Sequence, residues 1–379
     1  MFYIVDTIKY VFGGSCLASL NGKTVFIPFS LPFEKLKIEI VEEKKNYSNA
    51  KILNIIDPSP YRCAPICKYF YHCGGCNMQM AMFEEQRNLK VLSVKDTFNR
   101  FHIKVDFPIN IIFDKDVEYR SRFQFHIYKG KLSLLGKKSH NFINIEDCPI
   151  ACKEIRDYIT RDVFFNNIKN GLKIKTFGHN GNVYTSLKDK ICNVNILGKN
   201  ISFSPKAFFQ SNIGMLKKLI SLLDKNIESC NRMLDFYSGV GTFSLFLAHK
   251  AKEIHLVEWN KCSMESSRLN LLNAVKKNPL LKCFFHSISS EDWSKKKEAN
   301  LTYDVAIVDP PREGIDKGSL MWFCKKNVKK IFYVSCDPVT FSRDTFVLIN
   351  EAGYKLESYY LLDFYPQTHH IESLGIFNL

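Results

Sequence analysis

From residue 211 to residue 362 the chain alternates segments of helical periodicity with short apolar runs, and this alternation limits the fold more than any other feature. Apolar spacing predicts helices over 211–228, 242–250, 260–276 and 338–351, and strands over 232–237, 254–258, 281–285, 304–308, 331–335 and 354–362. Strands linked through helices pair mostly in parallel, with the helices covering both faces of the sheet. The fold class that follows is α/β, a Rossmann-like, doubly wound sheet over 206–379. Such sheets bind ligands at the carboxyl ends of their strands.

The preceding sequence has a different rhythm. Residues 1–57 alternate short apolar runs with turn residues (Gly13-Gly14, Asn21-Gly22), which predicts a small antiparallel barrel closed off by Pro58 and Pro60. A cysteine-rich loop follows at 63–76, then a helix over 82–100. Short strands return over 119–203, with a hairpin turn near Lys129-Gly130 and a helix near 152–166. The reading is three units: a barrel (1–57), a central α+β domain (58–205) and the α/β domain (206–379). There is no uncharged apolar run of about 18 residues, and the N-terminal MFYIVDTIKYVF carries a lysine and lacks a small-residue cleavage site. A cytoplasmic monomer without a membrane segment is expected. Of the net charge of +15, +11 falls in residues 61–210, which points to a basic surface facing a polyanion.

The chemistry-bearing residues fall at predicted strand ends. LDFYSGVGT (234–242) runs from a strand through Asp235 into a turn where Gly239 and Gly241 let backbone approach a ligand closely. Glu258 ends the next strand, where a carboxylate accepts hydrogen bonds from a ribose diol, and Asp309 opens DPPR after the strand DVAIV. Cys336, in SCDPVTFSRD (335–344), ends a further strand on the same edge. Nearby positive charge and a helix starting at Pro338 are expected to lower its pKa and make it reactive. In YPQTHHIE (365–372), Glu372 is read as a carboxylate in a closing loop, shielded from water and therefore with a raised pKa; His369 and His370 are read as packing or phosphate-contact residues.

Thirteen cysteines make an odd number for a disulfide framework. Cys16, Cys192, Cys230, Cys262, Cys283 and Cys324 read as packed thiols. Cys67, Cys73 and Cys76 have C-x5-C-x2-C spacing, and a fourth ligand, best Cys148 with Cys63 and Cys152 as alternatives, would complete a zinc or iron–sulfur site.

FSPKAFFQSN (203–212), LDFYSGVGT, DPPREG, SCDPVTFSRD and YPQTHHIE occur in the order seen in the RNA 5-methyluridine methyltransferase family, which the chain resembles end to end. The resemblance implies S-adenosyl-L-methionine contacts at Gln210, Tyr237, Glu258 and Asp309, beside the backbone approach at Gly239. It implies Cys336 as the nucleophile that adds to C6 of uracil and Glu372 as the acceptor of the C5 proton. The target base would have to be extruded to meet both groups. The 23S ribosomal-RNA members resemble the chain at the cysteine loop too, which implies a [4Fe–4S] cluster on Cys67, Cys73, Cys76 and Cys148 and a TRAM-like, OB-like barrel at the N-terminus. Ribosomal RNA is then the expected partner, with phosphate contacts from Tyr119, Arg120 and Arg122. Asp337 and Glu313 depart from the family's usual Asn and Lys, and the negative charge of Asp337 beside the thiol is expected to act against the lowering of its pKa.

Three other readings compete. The transfer-RNA branch is expected to lack both barrel and cysteine loop. RNA cytosine-5 methylation would place Pro-Cys where this chain has Asp309-Pro310. A non-catalytic iron–sulfur RNA-binding protein would have no use for an intact Cys336 and Glu372.

Overall fold

A computed structural model describes residues 2–137, 139–161, 168–325 and 328–379. The first five strands, β1 (Phe2–Val11), β2 (Ser15–Leu20), β3 (Lys23–Pro28), β4 (Lys35–Glu43) and β5 (Tyr47–Asp57), close into a barrel in the order β1-β2-β3-β5-β4. Alternate side chains such as Val5, Val25, Ile27, Leu36 and Ile38 fill it. The expected barrel is there with one difference: β3 and β5 pair in parallel. A closed ring of five strands cannot alternate direction all the way round, so one neighbouring pair must run the same way.

The cysteine loop leads into α1 (Phe83–Arg100) and β6 (Asn110–Ile112). Next come β7 (Arg122–Tyr128), β8 (Lys131–Leu135), β9 (Phe142–Asn144), α2 (Lys153–Thr160), β10 (Lys173–His179) and β11 (Asn182–Thr185). These strands form an antiparallel sheet in the order β11-β10-β7-β8-β9. Lys129 and Gly130, both at positive φ, make the β7–β8 turn that a two-residue hairpin needs. The helix expected near 152–166 is seen as α2, which ends at Thr160 with Arg161 extended, and the expected positions 162–166 lie outside the described residues. The hairpin β12 (Cys192–Ile196) and β13 (Lys199–Phe203) turns its apolar side chains into the core of the C-terminal sheet.

That sheet is built from β14 (Cys230–Phe236), β15 (Ala251–Val257), β16 (Lys282–His286), β17 (Val305–Val308), β18 (Lys330–Ser335), β19 (Lys355–Leu362) and β20 (Glu372–Asn378). The helices are α3 (Ile213–Asn226), α4 (Thr242–Leu247), α5 (Lys261–Lys277), α6 (Ser290–Trp293), α7 (Lys317–Lys325) and α8 (Pro338–Asn350). The strand order is β16-β15-β14-β17-β18-β20-β19-β6, with β14 to β18 parallel and β20 antiparallel between β18 and β19. One apolar cluster joins α3, α4 and α5 to one face. A second joins α1, α7 and α8 to the other, so α1 packs on this sheet rather than on the central one. The four residues of β17 are all buried, as a parallel strand covered on both faces requires.

The sequence reading lacks β6, α6, α7 and β20. In β20 the disguise is Gly375: a Cβ there would lie 2.5 Å from the Phe341 ring, so the strand carries a glycine where propensity asks for a side chain.

Candidate active site

Parallel strands put their carboxyl ends on one edge, and the chain reverses between β15 and β17 on either side of β14, which opens a crevice there. A cleft of about 1030 Å3 occupies it, lined by Gln210, Tyr237, Gly239, Glu258, Asp309, Cys336 and Glu372. All seven cofactor and catalytic positions singled out in the sequence therefore meet in one cavity.

The turn after β14 is held in the left-handed region at Tyr237, Gly239 and Gly241, with φ of 65°, 54° and 75°. At Gly241 a Cβ would meet Ser267 at 3.1 Å, so α4 and α5 approach as closely as they do only over glycine. Asp235 stays below the turn, accepting from the Ser244 N–H (3.1 Å) and Oγ (2.6 Å), which ties the strand to the first turn of α4. The Glu258 carboxylate accepts from Gly239 N (3.0 Å) and Asn260 N (2.7 Å), fixing both oxygens at the end of β15 while leaving lone pairs for a ligand. The Tyr237 hydroxyl donates to Asp316 (3.0 Å) and so orients its ring at the cleft.

Burial raises the pKa of four carboxyls in and beneath the cleft. Asp235 is pushed up to about 6 and Asp309 to about 7, Asp309 with help from the charge of Asp235. Glu258 is also raised, and Glu372 stands well above the carboxylate range through burial and the charge of Asp309. A cleft with this many desolvated acids favours a cation. Gln210 Oε1 and Ser238 Oγ are buried there with no hydrogen-bond partner among the described residues, so the walls also present unused polar atoms. These features fit a cationic, nucleoside-bearing ligand of the S-adenosyl-L-methionine type.

Cys336 follows β18, and Glu372 opens β20. The antiparallel register pairs Ser335 with Ser373, so the next positions along the two strands, Cys336 and Glu372, face one another at the cleft. Glu372 is thus the first residue of a strand rather than part of a closing loop. The thiol also differs from expectation: its pKa is pushed up to about 12, first by burial, then by Glu372 and Asp309, and by Asp337 least. The helix start does not serve the thiol because Asp337 is itself the cap of α8, its carboxylate accepting from Val339 N (2.8 Å) and Thr340 N (3.2 Å). The opposing influence is Arg312, whose charge lowers both Cys336 and Glu372. Sequence reasoning gave Arg312 no role. Its signal was a single guanidinium beside Asp309 in a motif otherwise rich in acids.

His369 and His370 are held neutral, pushed down to about 4 and about 3 by burial and neighbouring cations, which suits packing and not phosphate binding. Tyr119 is buried and donates to Pro366 O (2.9 Å), while Arg122 donates to Ala207 O (3.0 Å). Tyr119 therefore braces the site instead of meeting phosphate.

Cys67, Cys73, Cys76 and Cys148 line one cavity of about 460 Å3 with Arg120 and Phe123. The two alternatives point elsewhere: Cys63 Sγ lies 3.5 Å from Gln79 O, and Cys152 Sγ lies 3.5 Å from Gly178 O. Burial pushes Cys76 and Cys148 up to about 12, the neighbouring Cys148 adds to the rise at Cys76, and Arg120 opposes the rise at Cys73, Cys76 and Cys148. All thirteen cysteines are free. Among the described residues no three Cys, His, Asp or Glu side chains form a group that could hold a metal ion. The four thiols line a common space instead.

Residues 188–378 match the profile of a family described as tRNA (uracil-5-)-methyltransferase. The chain is 46% identical to an uncharacterized RNA methyltransferase of Treponema denticola, covering 99% of this chain and 98% of that one. It is 31% identical to the 23S rRNA (uracil(1939)-C(5))-methyltransferase RlmD of Shewanella woodyi, over 97% and 93% of the two chains. In fold it is similar to the Pyrococcus abyssi tRNA (uracil-54, C5)-methyltransferase solved with S-adenosyl-L-homocysteine, with a TM-score of 0.75, 21% identity, and 98% and 99% coverage.

Proposed function

The chain belongs to the RNA uracil-5-methyltransferase family, is an S-adenosyl-L-methionine-dependent enzyme, and from that premise we propose that it forms 5-methyluridine in 23S ribosomal RNA through a transient bond from Cys336. The observation that carries the covalent reading is the register of β18 and β20, which sets a thiol and a carboxyl opposite each other at the cleft.

C5 of uracil is a weak nucleophile. Addition of the Cys336 thiolate to C6 turns the ring into an enolate whose C5 is nucleophilic. S-adenosyl-L-methionine, when bound, supplies the electrophilic methyl that C5 takes up, its positive charge suiting a cleft of buried carboxyls. Glu372 then accepts the C5 proton; the C–H electrons re-form the C5–C6 double bond, and the sulfur–C6 pair leaves with Cys336. Arg312 opposes the acids around both groups, lowering the proton affinity of the thiol before attack and of Glu372 before abstraction. Gln210, Tyr237, Gly239, Glu258 and Asp309 bind and orient the methyl donor.

Support for ribosomal RNA comes from full-length relatives such as the Shewanella enzyme. The barrel does not separate the two substrate classes as expected, because an enzyme acting on transfer RNA shares the fold over 98% of this chain. Transfer RNA is therefore the second reading. The test is methylation of 23S and transfer-RNA transcripts side by side, with Cys336→Ala as control. The parent should methylate the 23S transcript and be trapped covalently by its 5-fluorouridine form, and Cys336→Ala should do neither. Methyl transfer by Cys336→Ala at the parent rate would end the covalent reading.

A [4Fe–4S] cluster on Cys67, Cys73, Cys76 and Cys148 would pin the loop at 63–76 to the turn before α2. Its role in this reading is structural.

A further inference from the structure

The eight residues before Glu372 are gripped to an extent that the chemistry so far does not explain. Gln367 sits at φ 69°, a strained position for a non-glycine residue, and is buried. Its N–H donates to Gln86 Oε1 (2.8 Å), its side-chain oxygen accepts from Gln86 Nε2 (3.0 Å), and its carbonyl accepts from the backbone N–H of Asn77 and of Met78 (3.0 Å each). The Asn77 side chain spans the next step: Oδ1 accepts from His369 N (2.9 Å) and Nδ2 lies 2.7 Å from His369 Nδ1. Asn77 is the residue directly after Cys76, so the end of the cysteine loop forms four of these contacts with a segment 290 residues away. Even the barrel closes on it, since a Cβ on Gly14 would lie 2.2 Å from Asn77 Nδ2.

We propose that Asn77 is a positioning residue for proton abstraction: the cysteine loop, through Asn77, holds the strained Gln367–His369 turn and thereby sets where β20 begins and where Glu372 meets C5. A strained turn persists only when its surroundings over-determine it, and here two side chains and two amides do so. The inference rests on the reading of Cys336 and Glu372 given above.

The two halves of the reaction separate the positioning role from general loss of structure. After methyl transfer C5 carries both the methyl and its original hydrogen, and Cys336 remains bonded to C6. Without a placed base the proton stays, the double bond cannot re-form, and the protein remains attached to RNA. Full-length Asn77→Ala, given unmodified uridine RNA and S-adenosyl-L-methionine, should lose turnover by about tenfold or more, in line with the cost of misplacing a catalytic group. It should also accumulate a covalent protein–RNA band on denaturing gels that the parent does not show. Its rate of trapping by 5-fluorouridine RNA and its kcat/KM for RNA should stay within about twofold of the parent, so that KM falls together with kcat, because the impaired step follows covalent capture and methyl transfer. Gln86→Met, which loosens the same turn from α1, should give the same split and serves if Asn77→Ala does not fold. Glu372→Gln is the control: if it forms no adduct, the assignment of the base fails; if it does and neither loop variant does, the positioning inference fails. A parallel fall in trapping and turnover in both loop variants would also overturn the inference.

Discussion

Arg312 and Asp309 show how single charges set this site. Removing the guanidinium should leave Cys336 and Glu372 more strongly protonated, so Arg312→Met should move the pH profile of 5-fluorouridine trapping to higher pH. A rise of one unit in the thiol pKa costs about tenfold in rate near neutrality. An unchanged profile would show that Arg312 does not tune the thiol. Asp309 is the converse case, a carboxyl whose pKa is raised to about 7 by burial and by Asp235. A raised carboxyl pKa means the folded state keeps the proton longer than the unfolded chain. Its destabilising effect is absent below about pH 4 and grows as pH rises towards 7. Asp309→Asn should therefore match the parent in stability at pH 4 and exceed it at pH 8 by up to about 4 kcal/mol, at roughly 1.4 kcal/mol per tenfold change in proton affinity, while losing methyl transfer. Urea unfolding at the two pH values reads this directly.

Among the elements, α8 does more than follow the nucleophile. Thr340 Oγ1 donates to Arg312 O (3.1 Å), Arg343 Nη2 to Glu313 O (2.9 Å), and the buried Asp344 carboxylate accepts from Ile315 N (2.9 Å) and the Tyr333 hydroxyl (2.7 Å). The helix that starts beside Cys336 thus braces the turn that carries Arg312. Gly314 lies at φ 81°, where a Cβ would come within 2.6 Å of both Arg343 Nη2 and Asp344 Oδ2. Gly314→Ala should cost about 1–3 kcal/mol and slow methyl transfer more than it weakens RNA binding. Equal effects on both would show that the turn carries only stability.

At the scale of the whole molecule, the barrel is fastened to the rest by a buried ion pair. Glu34, fully buried, accepts from Arg62 Nε (2.5 Å) and Nη2 (2.8 Å) and from Leu31 N (2.8 Å), while Arg62 also donates to Phe29 O (2.8 Å). Breaking a buried pair leaves the remaining charge uncompensated, so Arg62→Met should destabilise the barrel by about 3–5 kcal/mol. Hydrogen exchange should rise in β1–β5 and stay slow in β14–β18; uniform exchange would mean that barrel and sheet unfold as one unit. No helix among the described residues is long and apolar enough to cross a membrane.

Much of this was fixed locally and could be read from the chain. Alternating periodicity gave the parallel sheet, glycines at 239 and 241 marked the turn, and Asp235, Glu258, Asp309 and Cys336 each sit where an apolar run ends, so the strand order alone brings them to one edge. Long-range pairing decided the rest. That Glu372 begins a strand opposite Cys336 depends on β20 inserting antiparallel between β18 and β19, which no local pattern encodes once Gly375 interrupts it. The thiol's raised pKa came first from burial in the folded cleft and then from carboxyls distant in sequence, and the grip of Asn77 on His369 joins residues 292 apart. Periodicity and turn chemistry act between near neighbours in the chain; burial and charge act between whatever the fold brings close.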